Sequence, residues 1–460
     1  MFLSDTIAAI STGMTNSGIG IIRISGSEAF DVADRIFQPC KGTKKVSEMK
    51  SHTVHYGKIV SKGTVIDEVL LTVMKAPNTY TKENIVEINC HGGVVVVNKI
   101  MEIVLENGAR PAEPGEFTKR AFLNGRIDLS QAESVIDVIN SKNDFALKSS
   151  LSQLGGAVLG SIRQIREQLL HEIAFIESAL DDPEHISLDG YPQKLESIVN
   201  KECDEIQALL NSSDNGRILK EGINTVIVGK PNAGKSSLLN AILKEDRAIV
   251  TEYEGTTRDT IEEFVNIEGI PLKLIDTAGI RNAKDEVEKI GIAKSREIAK
   301  EADLIIAIFD STKELSPEDL EILNLIKGKK SIVILNKIDL NAILSENDDR
   351  FTNVSDNILK LSALNGEGLE KLYKTISKMF SLNEINLDNE IVITNLRHKN
   401  LISKALINVK KSEEAIEQNM PVDIIAIFIK DILEDLANIT GEIVTDDIID
   451  EIFAKFCLGK

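Results

Sequence analysis

A chain of 460 residues is too long for one hydrophobic core, and its 42% hydrophobic content is ample for the roughly two to four domains such a length implies. A formal charge of −19 excludes broad nonspecific attraction to nucleic acid or anionic membranes, and 4% aromatic residues with no Trp leave few stacking platforms for single strands. Cys40, Cys90, Cys203 and Cys457 lack metal-ligand spacing, and there is neither a signal-peptide start nor an apolar run of bilayer length, so a soluble protein of the reducing cytoplasm is expected, with no membrane partner.

Residues 1–119 read as mixed α/β, with strand-like runs at Gly20–Ile24 and Glu68–Met74 and a helix over Lys99–Asn107. Gly92-Gly93 marks a tight turn after His91, which has no nucleophile or metal-ligand pattern beside it and is read as a structural histidine. From residue 120 the period changes. Ala132, Val135, Ile136 and Ile139, then Ile162, Ile165, Leu169, Ile173 and Ile176, recur at three- and four-residue steps and predict packing faces of a helical bundle. A further helix is expected from Pro192 to Asn211, stopping in the polar run Asn211–Gly216. Residues 218–381 alternate strand and helix patterns, as in a doubly wound sheet of small-GTPase size. Helical periodicity then returns over Leu401–Ile416 and Val422–Ile439. The expected organisation is a G module, 218–381, inserted between two halves of one helical domain, 120–217 and 382–460.

Four motifs in order carry the chemistry. Gly229, Gly234, Lys235 and Ser236 fit G-x-x-x-x-G-K-[ST], where two glycines let backbone N–H groups and a helix N-terminus face phosphates. Lys235 would neutralise phosphate charge and the Ser236 hydroxyl would hold Mg²⁺. Asp276-Thr277-Ala278-Gly279, after the strand-like Pro271–Ile275, would hold Mg²⁺ through water and offer the Gly279 N–H to the γ-phosphate. Asn336, Lys337 and Asp339 would read a guanine edge, the carboxylate accepting from N1 and N2, donors that adenine lacks, and Ser362-Ala363 would bring a backbone N–H to O6. This order of motifs resembles the translation-factor-like GTPases.

Across the whole chain, Gly20–Gly26, Asn89–Gly93, Arg110–Thr118, Arg120–Asn124, Gly229–Ser236, Gly255–Asp259 and Phe456–Lys460 resemble the MnmE (TrmE) family of tRNA-modification GTPases, among the TrmE-Era-like GTPases. The resemblance implies a multidomain α/β and α protein: an N-terminal α/β folate-binding and dimerisation domain, a discontinuous helical bundle and an inserted Ras-like P-loop G domain. Members act as homodimers with the flavoprotein MnmG (GidA), in a heterotetramer. They install an aminomethyl-type group such as carboxymethylaminomethyl at C5 of wobble uridine 34 of tRNA. The one-carbon unit comes from 5-formyltetrahydrofolate or methylenetetrahydrofolate.

By motif position, Arg23, Glu83, Arg126 and Lys460 would contact the folate; Arg126 stands where some members carry lysine, and Leu458 where isoleucine is common. GTP would lie against Gly229, Asn232, Ala233, Gly234, Lys235, Ser236 and Ser237. It would also meet Thr251, Glu252, Tyr253, Glu254, Gly255, Thr256 and Thr257, together with the three later motifs. A Ras-type protein has glutamine where Ile280 stands, so another group must orient the attacking water. The resemblance names Glu288, against the plain reading of a solvated helix charge. It also gives K⁺ the place of an arginine finger, held by Asn232, Thr251, Tyr253 and Thr256, while Thr257 joins Ser236 on Mg²⁺. Arg258 and Arg281 read equally as finger residues or switch-loop surface charges, and Cys457 as a catalytic thiolate or a structural tail residue. A timer GTPase of ribosome assembly is the competing class, and acidic residues 421–460 weigh against the basic appendage it needs.

Overall fold

The computed structural model describes residues 5–141, 143–244, 263–267, 270–275, 302–380, 391–456 and 459. They divide into two compact units. One comprises Met1–Asn140, Ser150–Asn200 and Lys404–Lys460, the other Ser141–Ser149 and Lys201–Ser403.

The first unit opens with β1 (Ile7–Ile10), β2 (Ser17–Ser25), α1 (Ala29–Ile36), β3 (Phe37–Pro39), β4 (Thr53–Ser61), β5 (Thr64–Met74), β6 (Ile85–Gly92), α2 (Val94–Glu106) and β7 (Arg110–Pro111). The strands form one sheet in the order β3-β4-β5-β6-β2-β1-β7, antiparallel except for the parallel pair β1 and β7. Alternation decides which face is buried: Ile22 and Ile24 of β2, Val86 and Ile88 of β6 and Leu71 and Val73 of β5 meet Val97, Ile100 and Val104 of α2 and Val32, Ala33 and Ile36 of α1. The helix expected from Lys99 begins at Val94, because Gly93 serves as its N-cap.

Helices α3 (Glu116–Leu123), α4 (Leu129–Ile139), α5 (Asp144–Leu154), α6 (Ala157–Asp181) and α7 (Tyr191–Glu221) follow. Asp128 starts α4 with a capping box, accepting from the Gln131 N–H while the Gln131 side chain accepts from its own. The periodic residues Ile162, Ile165, Leu169, Ile173 and Ile176 of α6 are buried.

The expected stop at residues 211–216 does not occur: α7 is helical from Tyr191 through Glu221. Gly216 serves close approach rather than termination. A Cβ placed there would lie 2.1 Å from the Ile393 carbonyl oxygen, so the glycine lets another segment of the same unit pack on the bare helix backbone.

The second unit carries β8 (Ile223–Val228), α8 (Lys235–Lys244), β9 (Glu263–Ile267), β10 (Ile270–Leu274), β11 (Leu304–Asp310), α9 (Pro317–Ile326), β12 (Ser331–Asn336), β13 (Ile358–Leu361) and α10 (Leu369–Met379). A one-turn helix, Asp349–Thr352, lies between β12 and β13. Strand order is β13-β12-β11-β8-β10-β9, parallel except for the β9–β10 hairpin. Strands of such a sheet are buried on both faces and read as unbroken apolar runs. In β11, Ile306 and Ile308 share a core with Leu238, Leu239 and Ile242 of α8 and Leu372 and Ile376 of α10, while Ile305, Ala307 and Phe309 share one with Leu323 and Ile326 of α9.

Three helices complete the described chain: α11 (Leu396–Glu417), α12 (Val422–Thr440) and α13 (Asp446–Phe453). α12 packs against α6, and α13 against α3, all within the first unit. Leu129, Ala132, Ile449, Phe453 and Phe456 make a small core of their own there. Gly216→Ala is expected to lower the thermal midpoint, opposite in sign to the gain of about 1 kcal/mol that alanine brings to an open helix position. Heat or urea unfolding followed by circular dichroism checks it.

Candidate nucleotide-binding site

The loop between β8 and α8 runs from Gly229 to Gly234 at the C-terminal edge of the parallel sheet, the edge at which doubly wound folds bind ligands. Its backbone is unusual at two places, Asn232 with φ +63° and Gly234 with φ +111°. At Gly234 no side chain fits: a Cβ would sit 2.0 Å from the Asn336 amide nitrogen. Lys235, first residue of α8, donates through Nζ to the carbonyls of Gly229 at 2.7 Å and Lys230 at 2.8 Å. Its ammonium thus lies folded over the loop that a phosphate group would fill. Ser236 and Ser237 follow, exposed on the first turn, so the hydroxyl required for Mg²⁺ is present. The loop geometry, the lysine and the hydroxyl fit a nucleoside phosphate with its metal.

Asn336 ends β12 and is 2% exposed. Instead of facing a base, its amide is turned inward. Nδ2 donates to the Ala233 carbonyl at 2.8 Å, and Oδ1 accepts from the Ala363 N–H at 2.9 Å. The Ser362 N–H donates to the Glu367 carbonyl at 2.9 Å, so neither N–H of Ser362-Ala363 is free for a guanine O6 in this arrangement. Asp339 does face solvent, and the Ser362 hydroxyl donates to its Oδ1 at 2.6 Å, which fixes one carboxylate oxygen and presents the other. Lys337, at φ +67°, donates through Nζ to Asp310 Oδ2 at 2.6 Å. Burial pushes the Asp310 carboxyl up, but bonds from Lys337 and Thr312 outweigh that and hold it below the ordinary carboxylate range. The Asp310 carboxyl is therefore ionised throughout the neutral range.

Thr251, Glu252, Tyr253, Glu254, Gly255, Thr256, Thr257, Asp276, Thr277, Ala278, Gly279 and Glu288 lie outside the described residues, as do Cys457 and Lys460.

A second constellation lies in the first unit, on β2, β6, α3 and the segment before β6. The guanidinium of Arg126 stands 4.7 Å from the centre of the Tyr80 ring, and that of Arg23 at 5.8 Å. Arg23 also donates through Nε to Glu87 at 2.8 Å and through Nη1 to the Gly459 carbonyl at 3.4 Å. The Tyr80 hydroxyl is fixed by Thr118 at 2.9 Å. Two cations and an aromatic ring in one corner fit an anionic aromatic ligand such as a folate. Glu83 is differently employed: its carboxylate accepts from Arg120 at 3.1 and 3.2 Å and from the Ser25 hydroxyl at 2.7 Å.

Arg120, 1% exposed, also binds Asp5 and Glu116, and Arg110 bridges the same two carboxylates. Burial pushes the Glu116 carboxyl up, yet Arg110, the Glu113 N–H and Arg120 together hold it low. Its contribution to stability is complete above the unfolded-state value, about pH 4, and is lost as pH falls through the lower folded value. Sequence reading missed Tyr80, Arg120 and Glu87. The signal available was that Arg120 opens one of the segments that carry the resemblance and that Tyr80 lies three residues before Glu83.

His91 has the structural role expected of it, with both its ring Nδ1 and its backbone N–H on Asp67, at 2.7 and 2.8 Å. Beside it Cys90 is buried, and burial pushes its thiol up to about 11.

Residues 6–126 match the family model described as the GTP-binding protein TrmE N-terminus, and residues 129–457 that of the MnmE helical domain. A tRNA modification GTPase MnmE from Lachnoclostridium phytofermentans is 53% identical over 99% of this chain and 100% of its own length. Proteins with the same description from Clostridioides difficile and Acetivibrio thermocellus are 49% and 48% identical, each over 100% of both chains. Among solved structures, the G domain of the FeoB iron transporter of T. maritima aligns with 35% of this chain and 98% of its own at 23% identity; its TM-score of 0.23 carries no argument.

Asn336→Ala removes both bonds of a buried amide and leaves two backbone groups unpaired. It should weaken guanine-nucleotide binding about five- to 150-fold, from a loss of about 1–3 kcal/mol, measurable by fluorescent-nucleotide titration. Alkylation mapped by mass spectrometry at neutral pH should label the exposed Cys40 and spare Cys90.

Proposed function

The chain belongs to the MnmE family of tRNA modification GTPases and is a GTP hydrolase, and from that premise we propose how its residues perform and use the hydrolysis. The observation that carries the reading is the Asn336 amide, which joins the phosphate loop at Ala233 to the base loop at Ala363 and so makes one site of three motifs. Lys235 leaves the carbonyls of Gly229 and Lys230 for the β- and γ-phosphates, exchanging neutral acceptors for anionic ones. Asp339 accepts from N1 and N2 of guanine, an arrangement that leaves adenine with its own acceptor against a carboxylate. Glu288 orients the water that attacks the γ-phosphorus, the bond to the bridging oxygen breaks, and GDP leaves with that electron pair.

Bound Mg²⁺ and K⁺ supply the positive charge that a loose phosphoryl-transfer transition state requires. For Mg²⁺ the proposed ligands are Ser236 and Thr257; for K⁺ they are Asn232, Thr251, Tyr253 and Thr256. Support for Asn232 is its exposed place on the phosphate loop, with the backbone at φ +63°.

The proposed organisation is an N-terminal domain over 1–119, a helical domain over 120–217 and 382–460, and a G domain over 218–381. It works as a cytoplasmic homodimer with the flavoprotein MnmG, and K⁺-dependent meeting of two G domains triggers hydrolysis. The tRNA product carries carboxymethylaminomethyl at C5 of uridine 34, and the one-carbon unit enters on a tetrahydrofolate. The Tyr80 corner supports that last element: Arg23 and Arg126 flank an aromatic ring, and the Gly459 carbonyl accepts from Arg23. Arg120, by holding Glu83, shapes this corner from below. Among the described residues no helix is long and apolar enough to cross a membrane.

GTP turnover by the purified protein in K⁺ and in Na⁺ at matched ionic strength tests this reading. Strong stimulation by K⁺ is expected, with loss of the difference in Asn232→Ala. Equal rates in both salts would remove the ion site and with it the assignments of Thr251, Tyr253 and Thr256. Modification of tRNA in the presence of the flavoprotein should be lost in Arg23→Ala while GTP turnover persists.

A further inference from the structure

The phosphate-loop pattern leaves the position after its first glycine open, yet here it is occupied by a residue with two separate duties. Lys230 sends its side chain away from the loop to the start of α9. Its Nζ lies 2.5 Å from Asp319 Oδ2 and donates to the Ser316 hydroxyl at 3.0 Å. Asp319 is 3% exposed, and the same oxygen accepts from the Ser316 N–H at 2.9 Å in the capping box that begins the helix. The backbone of Lys230 faces the other way. Its carbonyl accepts from Lys235 Nζ at 2.8 Å and from the Ala233 N–H at 3.2 Å. One residue therefore joins a buried carboxylate to the ammonium that meets the phosphates.

We propose that Lys230 is a positioning residue for nucleotide phosphate, holding the loop at the height where Lys235 and the loop N–H groups converge. The proposal rests on the nucleotide site described above and adds a residue to it. An exposed lysine paired across a surface would contribute little. Here the partner is buried, and the helix N-terminus alone offsets only part of its charge, so the ammonium is held strongly and the loop with it. The two anchors of this edge of the sheet are distinct. Lys230 ties the phosphate loop to Ser316 and Asp319, whereas Lys337 ties the base loop to Asp310, at the other end of the same connection. Loss of the first should change affinity for phosphates without changing the preference for the base.

The test measures dissociation constants of GTP, GDP and ATP for the full-length protein and for Lys230→Met, Lys230→Arg, Asp319→Asn and the Met/Asn double variant, each checked for folding by circular dichroism. Lys230→Met should weaken GTP and GDP about tenfold, the order expected for one charge-assisted hydrogen bond to a binding loop, with the GTP-over-ATP ratio unchanged. Lys230→Arg should restore binding to near the parent value. Asp319→Asn should cost less than Lys230→Met, because it leaves no buried charge unpaired, and the double variant should bind better than Lys230→Met alone. Unchanged binding in folded Lys230→Met and Asp319→Asn would overturn the proposal. So would a loss of base preference in parallel with affinity, which marks general loosening of the unit. Failure of the parent protein to bind GTP at all is a different result: it overturns the nucleotide site itself, and this proposal with it.

Discussion

The G module depends on one buried amide. Parallel strands bring their C-terminal ends to a common edge, but the loops that leave that edge share no hydrogen-bond ladder and are free to diverge. Asn336 closes them. It stands at the end of a strand buried on both faces, donates to one loop and accepts from another, and leaves no polar atom of its side chain unpaired. Glycine at 234 follows from that choice, since the amide occupies the space a side chain would need. Low dielectric around the amide strengthens both bonds and makes the loss of either costly.

The N-terminal unit solves a related problem with charge. Arg120 is fully buried and gathers Asp5, Glu83 and Glu116, with Arg110 as a second cation on two of them. A buried guanidinium is tolerated because its fork can meet several carboxylates in plane. The consequence is local order. Glu83 is held from one side, Tyr80 is fixed by Thr118, and the ring becomes a platform between two further guanidiniums.

Much of this was legible in the sequence, and the reasons divide cleanly. The phosphate loop could be read because its chemistry is local: a tight turn, a lysine and a hydroxyl within eight residues. The apolar runs at 304–310 and 331–336 could be read as strands covered on both faces. Helix α6 announced itself by period. What could not be read is what depends on partners remote in the chain. The inward turn of Asn336 is set by Ala233, and the burial of Arg120 by Asp5. The polar, glycine-containing run at 211–216 looked like a helix end because propensity counts local signals only, whereas Gly216 answers to the backbone at Ile393.

The small core of Leu129, Ala132, Ile449, Phe453 and Phe456 has a consequence for synthesis. Leu129 and Ala132 leave the ribosome about 320 residues before Ile449 does. At about 5–20 residues per second the delay is tens of seconds, during which the whole nucleotide module is made and can fold. Over that interval the nascent α4 must carry an uncovered apolar stripe. The fold therefore separates two events that are simultaneous in a refolding tube: an early, autonomous collapse of the inserted module and a late sealing of the first unit.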